Sequence, residues 1–201
     1  MSKTRKYSGL EILESEYKAL KELEKEVGEV PGFTAKNNSI IELELGQKEL
    51  SDLSPLRHLE NLEDLNFDFS KVKDLSPLRD LRHLKKLSLR NAKVSDISPL
   101  QDLHNLERLI LEKTDISDIT PLKGLKNLQH LDIEGTEVSD LTPLKDLSKL
   151  QELDLEATPI VDISPLHDLE HLESVNLKNT KVSQDDKTVG VLKERGVKVR
   201  L

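Results

Sequence analysis

The chain has 201 residues, 35% hydrophobic and 34% charged, with a formal net charge of −8. That is the length of one ordinary domain, and its acidity argues against a nucleic-acid-binding module, which carries a basic stripe. It has no cysteine, which excludes disulfides, Cys-containing zinc sites and thiol nucleophiles and fits a reducing compartment.

The N-terminal residues, MSKTRKYSGLEILESEYKAL, lack the continuous apolar stretch of a secretory signal. No apolar run approaches a membrane span. The expectation is a soluble, cytoplasmic monomer. Residues 1–7 are basic and read as loose. Residues 8–27 read as a helix, with Ser8 as N-cap, Glu11 as its box partner, and Leu13, Tyr17, Leu20 and Leu23 on one face. Gly28 and Pro31 end it. Residues 33–39, FTAKNNS, lead into the first repeat strand.

From Ile40 a twenty-two-residue phrase recurs, reopening at Leu62, Leu84, Leu106, Leu128 and Leu150, with a partial seventh copy from Leu172. A fixed period of this size means a solenoid, in which one apolar column replaces a central core. Within each copy, xLxLx alternates with period two and reads as a short strand, Leu inward. Stacked copies make the strands parallel. Position nine holds Ser70, Ala92, Thr114, Thr136, Thr158 and Thr180, expected to face inward with the hydroxyl on a backbone group of the neighbouring coil.

Next comes Asp-(Leu/Ile)-(Ser/Thr)-Pro-Leu. The pairs from Ser54-Pro55 to Ser164-Pro165 read as N-cap and first helical residue of a short helical or 3₁₀ turn. The Asp two before each pair (Asp52, Asp74, Asp96, Asp118, Asp140, Asp162) reads as closing an Asx-type turn, in preference to a metal ladder or a phosphorylation array. Residues 184–195 read as a helix with Ser183 as N-cap and Gly196 as its stop. Residues 197–201 alternate apolar and basic as an edge strand guarded by charge. Three segments follow: an N-terminal helical cap over 1–39, repeats over 40–183, and a C-terminal cap over 184–201.

Over residues 40–182 the phrase LxxLxLxx(T)x(V/I)xD(L/I)(S/T)PLxxLxx resembles the leucine-rich repeat family. Its twenty-two-residue form looks like the internalin repeats of bacterial surface proteins. Two departures stand out: Thr where internalins usually place Asn, and no secretion signal. The N-terminal helix and FTAKNN look more like the entry of cytosolic prokaryotic and archaeal members. The resemblance implies an α/β, right-handed, curved solenoid. Its parallel sheet would line the concave side, with short turns on the convex side and helical caps at both ends. It also implies a protein partner.

The third, fifth and seventh residues of each repeat point outward from the strands and form a grid on that concave face. Its first part carries Glu42, Glu44, Asp64, Asn66 and Asp68. Its middle carries Lys86, Ser88, Arg90, Arg108, Ile110 and Glu112. Beyond lie His130, Asp132, Glu134, Glu152, Asp154 and Glu156, then Ser174, Asn176 and Lys178. The face runs acidic, basic, acidic. Stacked Asp132/Asp154 and the Glu112/Glu134/Glu156 row set like charges about 4.8 Å apart, which calls for a basic partner surface, a divalent cation, or screening by salt and by lysines such as Lys113. With hardly any aromatic residue on the grid, the binding expected is weak and salt-sensitive.

Nothing reads as catalytic. His58, His83, His104, His167 and His171 fall on the outer or turn side, and His130 has acidic neighbours without a nucleophile. His167 and His171 are four apart, but on a turn too short to hold a metal. No phosphate-binding Gly-rich loop occurs. The reading is a non-catalytic protein-interaction module without cofactor or metal, and without nucleic-acid or membrane partners. The alternative is a structural scaffold, or a consensus-like designed solenoid, with no specific partner.

Overall fold

The computed structural model describes residues 3–50 and 52–201. A nine-stranded sheet runs the length of the molecule. Its strands are β3 (Gly32–Lys36), β4 (Ser39–Glu44), β5 (Asp64–Asn66), β6 (Lys86–Ser88), β7 (Arg108–Ile110), β8 (His130–Asp132), β9 (Glu152–Asp154), β10 (Ser174–Asn176) and β11 (Lys198–Arg200), in sequence order across the sheet. β4 to β11 are parallel, and β3 pairs antiparallel with β4. The register puts Leu43, Leu65, Leu87, Leu109, Leu131, Leu153 and Val175 in one inward row, as expected of a strict twenty-two-residue period. Leu84, Leu87, Leu89, Val94, Ile97, Leu100 and Leu103 fill the column of one repeat, each essentially without solvent contact.

Opposite the sheet, Ser54–His58, Ser76–Leu78, Ser98–Leu100, Thr120–Gly124, Thr142–Leu144 and Ser164–Leu166 form 3₁₀ turns. The six aspartates close them as read. Each backbone N–H of Ser54, Ser76, Ser98, Thr120, Thr142 and Ser164 donates to the Asp two residues back, at 2.7–2.8 Å. The Ser or Thr is therefore not the N-cap. It is already inside the turn, the preceding Leu or Ile is the cap residue without a side-chain bond, and the Asp does the capping from one residue further out. The position-nine hydroxyls also differ from expectation. Those of Thr114, Thr136, Thr158 and Thr180 donate to the carbonyls of Leu111, Ile133, Leu155 and Leu177, three residues back in the same coil. The contact between coils is instead made at the last repeat position. There Asn105 and Asn127 donate to the carbonyls of Arg82 and His104, and the rings of His83 and His171 lie 3.0 and 2.8 Å from the carbonyls of Glu60 and Ser148.

The N-terminal segment departs most from its sequence reading. Thr4–Tyr7 is strand β1, paired antiparallel with β2 (Leu10–Leu13), so residues 4–7 are not loose; Met1 and Ser2 of that reading lie outside the described residues. The turn between the two strands puts Ser8 and Gly9 at positive φ, which removes Ser8 as a helix cap, and Glu11 sits in β2. Helix α1 runs Glu14–Val27 and ends on Gly28 at φ 78°, its N–H on the Glu24 carbonyl. Asn37 and Asn38 both take positive φ, the geometry of a tight primed hairpin turn, and FTAKNN thereby forms the β3–β4 hairpin. Tyr7 packs edge-on against Tyr17 and tilted against Phe33, both centroids 5.7 Å away. At the other end, α2 (Lys187–Glu194) starts later than read. Asp186 caps it, its carboxylate accepting from Thr188 and Val189 N–H, while Ser183 accepts from Asp185.

Among the described residues, no helix is long and apolar enough to cross a membrane.

Candidate functional site

The outward grid exists as a set of rows. Row three runs Glu42, Asp64, Lys86, Arg108, His130, Glu152, Ser174, and row five runs Glu44, Asn66, Ser88, Ile110, Asp132, Asp154, Asn176. The last strand extends both, with Lys198 beside Ser174 and Arg200 beside Asn176. These two cations belong to the face, where the sequence reading gave them only the guarding of an edge. The signal was available: Lys198-Val199-Arg200-Leu201 repeats the outward–inward alternation of an eighth copy. The face therefore runs acidic, basic, acidic, basic.

Much of the charge on the grid is matched internally. Arg90 Nε lies 2.7 Å from Glu112, and Lys113 Nζ bridges Glu112 and Glu134 at 2.6 and 3.1 Å. Lys86 reaches Asp64 at 3.3 Å, and His130 Nδ1 is 2.9 Å from Glu152. The Asn176 amide donates to both Asp154 and Glu156, at 3.0 and 2.9 Å. Carboxylate oxygens of Glu134, Asp154 and Glu156 come within 4.8 Å of one another. They are the grid residues best placed to hold a cation. The Asn176 amide and Lys113 already supply donors there, so an ion would have to displace them.

Asp132 and Asp154 stand apart. They are paired across β8 and β9 and only partly exposed. Burial pushes the Asp132 carboxyl up to about 6, with the Asp154, Glu112 and Glu134 charges adding to it and the Glu134 N–H opposing. Row five explains why Asn or Asp stands here. Asn66, Asp132, Asp154 and Asn176 each accept, through the side-chain oxygen, the N–H two residues on (Asp68, Glu134, Glu156, Lys178) and so turn the chain out of the strand. An uncharged amide does this as well as a carboxylate. The charge at 132 and 154 is surplus to the coil.

These two carboxylates lie in a depression of about 380 Å³ over β7 to β11. Arg108 and His130 line it on one side and Lys198 and Arg200 on the other, with buried Ile110 contributing an apolar surface. Neither Arg108 nor Arg200 forms an ion pair among the described residues. The arrangement offers charge and hydrogen bonds of both signs on a rigid sheet. Of the histidines, His167 rests on Asp168 at 2.6 Å and His171 on the Ser148 carbonyl, so the two rings are engaged separately.

The pattern of the leucine-rich repeats family, in its two-copy form, matches residues 82–124 and 104–146. The crystal structure of an internalin C2 from Listeria monocytogenes aligns at 31% identity with a TM-score of 0.74, covering 91% of each chain. The chain belongs to the leucine-rich repeat family. Two further structures share the leucine-rich repeat fold at lower identity. An internalin (inlF) from Listeria monocytogenes has TM-score 0.65 and 23% identity over 94% of this chain and 62% of its own. A leucine-rich repeat protein from Leptospira interrogans has TM-score 0.70 and 21% identity over 78% and 42%. No curated protein matches the chain significantly. Leucine-rich repeat domains generally mediate protein–protein interaction and are typically non-enzymatic.

Proposed function

We propose that this chain is a non-catalytic interaction module that binds a protein partner through the charged outward face of its sheet. The supporting observation is the surplus charge in row five. Asn66 and Asn176 perform the strand-end bond without charge, yet Asp132 and Asp154 carry it side by side, partly buried, where the Asp154 charge adds to the burial cost of ionising Asp132. A cationic group of a partner would offset that cost, and Arg108 and Arg200 flank it as receivers for the partner's acidic groups. Glu42, Glu44, Asp64, Asp68, Lys86, Arg90, Ile110, Glu112, His130, Glu134, Glu152, Glu156 and Lys178 complete the proposed contact face. Residues 1–39 and 184–201 act as its end caps, and the chain is read as a cytoplasmic monomer, a reducing compartment being compatible with its lack of cysteine.

The test is capture from a lysate of the source organism at low and physiological salt, with a variant carrying Arg108→Glu, Asp132→Lys and Arg200→Glu run beside the native chain. These changes spare the internal pairs of Arg90 and Lys113. The expected result is a protein retained by the native chain, released by salt and absent from the variant. Capture that survives in the variant and is lost on changing the 3₁₀-turn face would sink the proposal.

A further inference from the structure

The chain has two tyrosines and three phenylalanines. Tyr7, Tyr17 and Phe33 pack together at the N-terminal end, and Phe67 is fully buried. Phe69 is different. It is 52% exposed, and its backbone sits at φ 58°. The coil imposes that left-handed conformation on position eight of every repeat. Asn91, Gly135 and Asn179 accept it easily, and a bulky aromatic residue does so only under strain. Phe69 therefore bears the strain without gaining burial. The strain is common to position eight; what sets Phe69 apart is a large aromatic ring left exposed there, and exposed aromatic rings are the usual anchors of interfaces.

The surroundings specify that role. Phe69 and the 46%-exposed Val30 line one depression of about 360 Å³ beside the first two repeats. Gly46 opens it. At the equivalent position the next repeats carry Asp68 and Arg90, and a Cβ on Gly46 would come 3.2 Å from the Asp68 carbonyl oxygen. Glu44 and Asp68 stand in the lining, one Asp68 oxygen already accepting from the Ser88 hydroxyl and the Arg90 N–H and the other, among the described residues, open to a further donor; Lys48, the one cation there, is paired with Glu29. Burial raises the Glu44 carboxyl above the usual range, with the Asp64 charge adding. An aromatic face, an aliphatic side chain and two carboxylates around an open floor match a side chain that is flat, cationic and carried on an apolar stem.

We propose that this depression receives an arginine side chain of a protein partner, its guanidinium stacked on Phe69 and facing Glu44 and Asp68, its stem against Val30. Arginine is chosen over lysine because its planar, weakly hydrated head stacks on a ring while donating at its edge. The inference rests on the interaction reading above and adds a second anchor at the opposite end of the same face.

The test uses the full chain labelled with ¹⁵N and titrated with three capped peptides, acetyl-Leu-Arg-Leu-amide and its Lys and Glu counterparts. The Arg peptide is expected to shift the amides of Val30, Gly32, Gly46 and Phe69, the Lys peptide to bind at least threefold more weakly, and the Glu peptide to leave them unmoved. Phe69→Asn is expected to weaken the Arg peptide at least fivefold and to raise the Tm, because Asn relieves the strain. No response to the Arg peptide, an equal response to Lys or Glu, or a lower Tm for Phe69→Asn overturns the assignment. The triple variant at 108, 132 and 200 should bind the peptide like the native chain. Its response is independent of the lysate experiment, so failure of one reading is distinguishable from failure of the other.

Discussion

At the level of single residues, position eight governs more than the sequence discloses. Gln47, Phe69, Asn91, Lys113, Gly135, Ala157 and Asn179 share no chemistry, so no periodic signal marks them, yet all take φ between 54° and 65°. The turn from strand to outer coil forces the conformation, and the residues accept it to different degrees. Lys113 uses it to reach Glu112 and Glu134, whereas Ala157 has no such use and carries only the steric cost. For an L-residue that cost is about 1–2 kcal/mol, against about 0.4–1 kcal/mol of extra chain entropy for glycine. Ala157→Gly is therefore expected to stabilise the protein by about 0.5–1 kcal/mol in urea unfolding. A loss of stability would show that the coil does not impose the strain argued for it.

Elements differ in how openly the sequence announces them. The repeat strands and turns were legible because position, chemistry and period agree in copy after copy. What misled was the order of roles in Asp-x-(Ser/Thr)-Pro, since Asp and Ser are both good caps and only the backbone decides which is outside the turn. The entry segment occurs once and has no copies to average over. Leu10, Ile12 and Leu13 alternate and cluster in a way that suits either a strand or a helix start, and the Ser8-Gly9 turn decides for the hairpin.

Helix α1 also hides a carboxylate. Glu16 is 1% exposed and accepts from the Ile40 N–H at 3.0 Å, tying the helix to the first repeat strand. Burial pushes its carboxyl up to about 7, above the effect of the hydrogen bonds it accepts. The folded chain thus holds a proton that the unfolded chain has already released, so this contribution is full below about pH 4.5 and is lost as pH rises through 7. The turn aspartates act oppositely. Hydrogen bonds from the following Ser or Thr hold Asp52, Asp74, Asp118, Asp140 and Asp162 low, and that stability is lost as pH falls below the ordinary carboxylate range. Stability should peak in mildly acidic solution. Glu16→Gln keeps an acceptor for Ile40 and should remove a loss of about 2–3 kcal/mol between pH 4.5 and 7.5. Melting curves across that range would expose the error if the variant kept the native slope.

For the whole molecule, the sheet face sets stability against binding. The sequence placed the grid and its stacked carboxylates correctly, because twenty-two-residue spacing converts directly into strand register. It missed the basic end supplied by Lys198 and Arg200, since α2 breaks the period before β11 resumes the sheet. It named Lys113 among the screening lysines, and Lys113 does pair with Glu112 and Glu134, but it did not show that Arg90 answers Glu112 or that His130 meets Glu152. Once those internal pairs are counted, Asp132 and Asp154 stand without a cation among the described residues, as Glu42 and Glu44 do at the other end of the face. Asp132→Asn tests that balance in one change. Its amide oxygen can still accept from the Glu134 N–H, so the coil survives. With the raised carboxyl gone, stability that the native chain loses as pH rises through about 6 should be retained. The variant should therefore melt higher than the native chain at pH 7.5 and match it near pH 4, where Asp132 is protonated, while capturing less partner at physiological salt. Higher melting with undiminished capture would leave the carboxylate without a function in binding. Lower melting at pH 7.5 would mean that Asp132 holds the coil by its charge after all.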